Sequence, residues 1–275
     1  GEYRRQRQMC IRDSNNINDL SASSEINICF CSDVNLAKFI PTVMKSILLH
    51  NWHHKINVFY INDIKDDNEL NIVRIFMKNY QNITYKEIYK TWDSKYSGLS
   101  HVTAATMLRI FIPELINVQK IIYLDIDIFV HTDLIQLYNI NTGTKGICLK
   151  NSIDSVWANM IKNSSSGNCG IIVMDLDLLR KLEFTKECLE IHSKNSDKHD
   201  QWVINRWLSG KHTIMNSNFN VFFKQDDYLV LNNYYYILHY AGSQKPYYHK
   251  ADKYQYLWNA FAVSYTHLTL PTIFA

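Results

Sequence analysis

Between residues 25 and 130, short apolar runs alternate with segments of helical periodicity, and this alternation limits the chain to a few folds. EINICFCSD (Glu25 to Asp33) reads as a strand ending in a polar turn. NLAKFIPTVMKSILLHN then places Leu36, Phe39, Ile40, Val43 and Ile47 at helical spacing. Pro41 falls in the first turn or two, where its missing N–H costs least. INVFYINDI is the next strand, DNELNIVRIFMKNY the next helix and ITYKEI a third strand. VTAATMLRIFIPELI reads as helix up to the region of Pro113, and KIIYLDIDIFV (Lys120 to Val130) as one further strand. The order predicts an α/β fold with an open, mostly parallel, Rossmann-like sheet flanked by helices. Such sheets bind ligands at the carboxyl ends of their strands. Asp33, Asp125 and Asp127 fall at such ends. The second half is less regular. GICLKN and NCGIIVMDLD read as strands, DLLRKLEFTKECLEIHSK and DQWVINRWLSG as helices, and YYYILHYAG as a strand entering a glycine turn. KNSSSGN (Lys162 to Asn168) is the expected loop.

Asp125 and Asp127 interrupt an otherwise apolar run. A buried, unpaired charge is expensive, and the usual escapes are ion pairing or metal coordination. If the strand persists through them, residues two apart point to one face, and the two carboxylates repel. A divalent cation would relieve that repulsion, and hard oxygen ligands suit Mg²⁺ or Mn²⁺. A second copy of the pattern weakens the signal: IIVMDLDLLRK carries Asp175 and Asp177, and Asp175 is placed to cap the following helix. The corresponding cap after the first copy is Thr132 or Asp133, which leaves Asp125 and Asp127 without a capping role. The pattern alone leaves both escapes open.

The 275 residues suffice for one large domain, and no apolar run reaches the ~18–20 residues that span a bilayer. A net charge of +3 is too weak to indicate nucleic acid. The six cysteines include no CxxC pair, so they read as reduced, buried thiols of a cytoplasmic protein, and no zinc site is expected from them. The start (RRQRQMCIRDS) and the end (AVSYTHLTLPTI) resemble translated adapter sequence. We therefore expect a non-native or disordered leader over residues 1–24, a domain over 25–261 and an adapter-like tail over 262–275. A natural chain continuing past Phe261, with an anchor there, stays open.

YLDIDIFVHTDLIQLY resembles the retaining glycosyltransferases of family 8, which include bacterial lipopolysaccharide galactosyl- and glucosyltransferases and glycogenin. The resemblance runs from about Ile26 to Tyr248. It implies a GT-A fold and transfer of a hexose from a UDP-sugar to a glycan, lipopolysaccharide-type or lipid-linked acceptor, with Mn²⁺ or Mg²⁺. INICFCSDVNLAKFIPTVMKSIL resembles the nucleotide-holding opening, with Asp33 on the uracil and Asn35 on the ribose or diphosphate. Outside the resemblance, Asp33 also reads as a helix cap. TAATMLRIFIPELI resembles the helix whose arginine, here Arg109, lies near the donor sugar. GNCGIIVMDL resembles the family's Asn-Ala-Gly stretch, with Asn168 on the sugar and Cys169 in place of Ala. HDQWVINRWL resembles its acidic-Gln helix start, with Asp200 on sugar hydroxyls and Gln201 beneath the anomeric carbon. A helix cap is the bland reading of Asp200. ILHYAGSQKPYYH resembles the His-x-x-Gly-x-x-Lys-Pro signature. By that match His239 is the third metal ligand beside Asp125 and Asp127, Gly242 lets the diphosphate approach, and Lys245 neutralises it.

One position departs from the resemblance: Lys150 stands where galactosyltransferase members carry an acid near the acceptor, with Asp154 a few residues on. Aromatic residues cluster in the last third and read mainly as packing. Peripheral contact with the inner face of a membrane stays open. Two other functions compete. A sugar-phosphate nucleotidyltransferase would need a glycine-rich phosphate loop, which SDVNLAKF lacks. A non-catalytic nucleotide-sugar-binding protein of the same fold is the other. No nucleic-acid partner is expected.

Overall fold

The computed structural model describes residues 24–64, 68–92, 104–151, 166–222, 235–248 and 254–262. The first half alternates as expected. Strand β1 (Glu25–Ser32) leads into a short helix α1 (Val34–Ala37), then α2 (Ile40–Asn51), β2 (Lys55–Asn62), α3 (Asn68–Lys78) and β3 (Ile83–Tyr89). The single helix expected over 35–51 is thus two, and Pro41 sits in the first turn of the second, where no backbone donor is lost. The segment Ala104–Phe111 is a 3₁₀ helix that passes into α4 (Ile112–Leu115). Pro113 begins that last turn rather than ending the helix, because a first-turn proline has no intrahelical bond to lose.

The aspartate-bearing run is not one strand. β4 (Lys120–Leu124) stops before Asp125, and β5 (Ile128–His131) starts after Asp127. The chain bends over Asp125, Ile126 and Asp127, and the backbone is satisfied from elsewhere. Asp125 N–H donates to the Gly170 carbonyl (2.7 Å), and Tyr240 N–H donates to the Asp127 carbonyl (2.9 Å). Each half of the run then joins a different sheet.

After α5 (Ile135–Tyr138) come β6 (Ile147–Asn151), β7 (Gly167–Asp175), α6 (Leu176–Lys181), α7 (Phe184–Ser193) and α8 (Asp200–Leu208). Short strands β8 (Thr213–Ile214) and β9 (Val221–Phe222), strand β10 (Tyr236–His239) and helix α9 (Gln255–Phe261) follow. The main sheet has the order β3-β2-β1-β4-β7-β6-β8. Its β3-β2-β1-β4 half is parallel, and β7 runs antiparallel to both β4 and β6. A small sheet, β5-β10-β9, stands beside it. Strand β1 is buried on both faces from Ile26 onward, as a central parallel strand covered by helices must be. The described cysteines (Cys29, Cys31, Cys148, Cys169 and Cys188) are free and buried. Among the described residues, no helix is long and apolar enough to cross a membrane. Of the expected loop over 162–168, residues 162–165 lie outside the described residues, as do nearly all of the leader and tail.

Asp175 caps α6, its side chain accepting from Leu178 N–H (3.0 Å), so the second acidic copy is structural. After the first copy it is Asp133, not Thr132, that accepts from a first-turn amide, Ile135 N–H (2.9 Å). Most tail aromatics pack, with Tyr236, Tyr240, Tyr254 and Trp258 buried. Tyr235, Tyr248 and Tyr256 are exposed, and Tyr228 and Tyr234 lie outside the described residues.

Candidate active site

The bend after β4, the first residues of β7, the start of α8 and the end of β10 converge on one point. Asp125, Asp127 and His239 offer ligand atoms that all lie within 4.8 Å of one another. His239 Nε2 is 3.7 Å from Asp125 Oδ2 and 3.6 Å from Asp127 Oδ1. They meet because β10 pairs antiparallel with β5, bringing His239 opposite Ile128, one residue past Asp127.

The ring of His239 is fixed from behind. Its Nδ1 lies 2.9 Å from Asn220 Oδ1, an acceptor, so Nδ1 carries a proton and Nε2 is the ring nitrogen that faces the acids, as a donor to them or as a metal ligand. Asn220 is fully buried and also donates through Nδ2 to Asn168 Oδ1 (3.0 Å). Gly170 completes the seat, since a Cβ there would stand 2.1 Å from His239 Cε1. Neither Asn220 nor Gly170 was singled out from sequence. Gly170 lay within the GNCG stretch and could have been read there. Asn220, in the polar run NSNFN, carried no local signal.

Both escapes from the burial cost are now visible. Asp125 pairs with Arg109 Nη2 (3.1 Å) and accepts from the Tyr123 hydroxyl. Asp127, 4% exposed, takes a hydrogen bond from Lys245 Nζ. Ion pairing therefore offsets part of the cost that the sequence assigned to a metal, and burial of the acids alone does not demand one. The charge count keeps the question open. Asp125, Asp127 and Asp200 face two permanent cations, Arg109 and Lys245, and the third negative charge falls to His239, His199 or an added cation. The two carboxyls of the pair also diverge. Burial raises Asp125, opposed by Arg109 and reinforced by Asp127. Burial pushes Asp127 up as well, but Lys245 and then His239 outweigh it and hold it below its ordinary value.

Arg109 is the hub. It is 5% exposed, its guanidinium lies 4.4 Å from the centre of the Tyr123 ring, and it donates to the carbonyls of Thr106 and Cys169. Its Nε is 3.0 Å from Asp200 Oδ2. An arginine on an amphipathic segment more often faces solvent, but this one is interior. Asp200 is not a helix cap either: α8 begins at Asp200, and His199 holds the cap position without a side-chain bond. Gln201 Oε1 accepts from Cys169 N–H (3.0 Å) and from Asn168 Nδ2 (3.4 Å), tying α8 to β7.

Of the remaining expected residues, Asp33, Asn35 and Gly242 stand around this centre, and Lys150 touches it through Asn220. Asp33 caps α1 by accepting from Asn35 N–H (3.0 Å), and Asn35 is exposed. The turn after β10 packs against that region, because Tyr247 stacks on Phe39 with ring centres 4.5 Å apart. Gly242 has φ +94°, which suits glycine, and the space beside its Cα is open. Lys150 is buried, donates to the Asn220 carbonyl (2.9 Å) and lies over the Phe222 ring. Asp154 lies outside the described residues.

Known proteins share this fold. The galactosyltransferase LgtC, solved with donor and acceptor sugar analogues, superposes with a TM-score of 0.69 at 18% identity, over 87% of this chain and 97% of LgtC. Glycosyltransferase GlyE of Streptococcus pneumoniae is 21% identical over 202 residues, which is 70% of this chain and 47% of GlyE. The chain thus spans about half the length of that relative. General stress protein A of Bacillus subtilis is 24% identical over 66% of this chain and 69% of its own length. The fold is therefore the GT-A fold of LgtC. The sequence profile of glycosyl transferase family 8 matches residues 27–251, and the chain belongs to that family.

Proposed function

We propose that the protein is a metal-dependent retaining hexosyltransferase that moves a hexose from a UDP-sugar to a hydroxyl of a glycan or lipopolysaccharide-type acceptor. The convergence of two carboxylates and an imidazole fixed from behind, beside the buried Arg109 and the part-exposed Lys245, carries this reading. That donor set fits a hard or borderline divalent ion, and Asp125, Asp127 and His239 would hold Mn²⁺ or Mg²⁺. When bound, the ion supplies Lewis-acid stabilisation of charge on the departing diphosphate.

The chain's own groups do the rest. Lys245, paired with Asp127 on a part-exposed turn, would exchange that partner for a diphosphate oxygen, and Gly242 keeps the turn open for that group's approach. Asp33 and Asn35, at the carboxyl end of β1, address the nucleoside. Arg109, Asn168, Cys169 and Asp200 line the sugar side. Gln201 is an amide with its oxygen already engaged, and so a poor nucleophile. We therefore favour same-face attack, with the leaving phosphate oxygen accepting the acceptor proton, over the carboxylate nucleophile of retaining hydrolases.

The test is UDP release from UDP-glucose, UDP-galactose and their N-acetyl forms, with MnCl₂ or EDTA, with and without saccharide acceptors. Manganese-dependent release from one donor is expected. Binding of UDP without release from any donor would leave the non-catalytic reading. Pyrophosphate-dependent formation of UTP would favour the nucleotidyltransferase, against which family membership already weighs.

Asn220→Ala should test the imidazole. Loss of such a supporting partner typically weakens metal affinity about 10–100-fold. The half-saturating MnCl₂ concentration for UDP release should rise by that factor, while release at saturating metal stays closer to wild type. An unchanged manganese titration would show that Asn220 does not set the ring.

A further inference from the structure

A second group of ligating side chains lies outside the site just described, where the turn after α2 meets the end of β5. His53 Nε2 is 3.5 Å from Asp133 Oδ2, and His54 Nε2 is 2.9 Å from Asp133 Oδ1. The ligand atoms of all three residues lie within 4.8 Å of one another. A further imidazole pair flanks them, His50 Nε2 standing 3.0 Å from His131 Nδ1. At ~3.3 Å per strand residue, His131 is roughly 10 Å along β5 from Ile128, the residue after Asp127, so the two clusters are separate.

We propose that His53, His54 and Asp133 form a second metal site, suited to zinc-class ions. Two imidazoles and one carboxylate are a borderline donor set that favours Zn²⁺ over the Mg²⁺ or Mn²⁺ suited to a carboxylate-rich site. Ligands ~2.0–2.2 Å from a tetrahedral centre stand about 3.4 Å apart. His53 Nε2 is at that spacing from Asp133 Oδ2, while His54 Nε2, at hydrogen-bond distance from Oδ1, would have to draw back by about half an ångström to share the ion. His53 and Asp133 are about 30% exposed, which leaves a side open for entry and for a water in the fourth position.

The rest of the cluster is compatible with this role. Asp133 keeps its structural bond to Ile135 N–H through Oδ1 while Oδ2 faces His53. His54 is nearly buried, and its Nδ1 has no hydrogen-bond partner. A metal on Nε2 would put the ring proton on that unpartnered Nδ1. The site should therefore bind about 10–100-fold more weakly than one whose histidines are supported from behind. Cysteine spacing gave no reason to expect zinc, and this site uses none of the cysteines.

The experiment is calorimetric titration of the full chain with ZnCl₂ in an Asp127→Asn background, which weakens the other candidate site. One equivalent of zinc should bind, and adding His53→Gln should weaken it at least about tenfold. Titration with CoCl₂ should give a visible ligand-field absorption that His53→Gln abolishes. His53 is partly exposed, so the variant should melt like its parent without metal. His53→Gln alone should leave manganese-dependent UDP release unchanged, so the zinc result does not depend on the activity proposed above. No zinc uptake in the Asp127→Asn background, or uptake unaltered by His53→Gln, would overturn the proposal.

Discussion

Asp127→Asn should lower manganese-stimulated UDP release from the preferred UDP-hexose by about 10²–10³-fold, the usual cost of removing one preorganised electrostatic stabiliser. The substitution keeps the shape of the side chain and one oxygen, and removes the charge. That charge sits 4% exposed beside His239 and Lys245, where little water screens it. An amide cannot replace it as an anionic ligand, so the half-saturating MnCl₂ concentration should rise together with the fall in rate. Stability should fall as well, because a carboxyl held below its ordinary value stabilises the fold while charged. Lys245 is on the turn after β10 and part exposed, so its ammonium can reach water when its partner is neutralised. A fall in rate measured well below the variant's melting temperature, together with a displaced MnCl₂ titration, identifies a functional group rather than a structural one. Wild-type turnover in the variant would remove Asp127 from the metal set and the metal dependence with it.

The parts of the fold that were legible in sequence are those where burial and period coincide. β1 and β2 are central parallel strands, so their apolar runs mark them whatever follows. α2 buries Ile40, Val43, Met44 and Ile47 on one face, which is helical spacing. Direction is another matter. Hydropathy reports burial and not orientation, and nothing in NCGIIVMDLD says that β7 runs against β4. The bend at Asp125 was hidden for the same reason, since Ile126 on the bend is as buried as the strand residues beside it. The argument from strand alternation therefore named two acids that do converge, but for the wrong geometry: they do so across a break in the strand. At the site itself, local spacing reached only the acids. Arg109, Asp200 and His239 lie far apart in the chain, and only resemblance to a family placed them together. Asn220 escaped both routes, because its role is a pair of side-chain bonds to residues 19 and 52 positions away.

Arg109→Met should destabilise the fold by about 3–5 kcal/mol, the cost of breaking a buried ion pair by removing one member. For a domain of this size that corresponds to a fall in melting temperature of roughly 6–20 °C. The loss is large because Arg109 answers Asp200, itself 3% exposed, as well as Asp125, and closes the carbonyls of Thr106 and Cys169. Methionine fills the volume over Tyr123 and satisfies none of these. Lysine should rescue only part, since an ammonium cannot reproduce the planar fork that reaches both acids. Acid separates this cause from simple repacking. Burial raises the Asp200 carboxyl, but Arg109 outweighs it and holds the group below its ordinary value. A lowered carboxyl stabilises the fold fully above its unfolded value, about 3.9, and loses that contribution as pH falls through the lowered one. In Arg109→Met the same carboxyl keeps only His199 and Thr106, so burial weighs more heavily on it and it takes up a proton more readily. The gap in melting temperature between wild type and variant should therefore be widest near neutral pH and narrow toward pH 4. Adding Asp200→Asn to Arg109→Met should recover part of the loss at neutral pH, because no bare carboxylate then remains inside. A gap independent of pH, with no recovery in the double variant, would assign the effect to packing against Tyr123 instead of to charge.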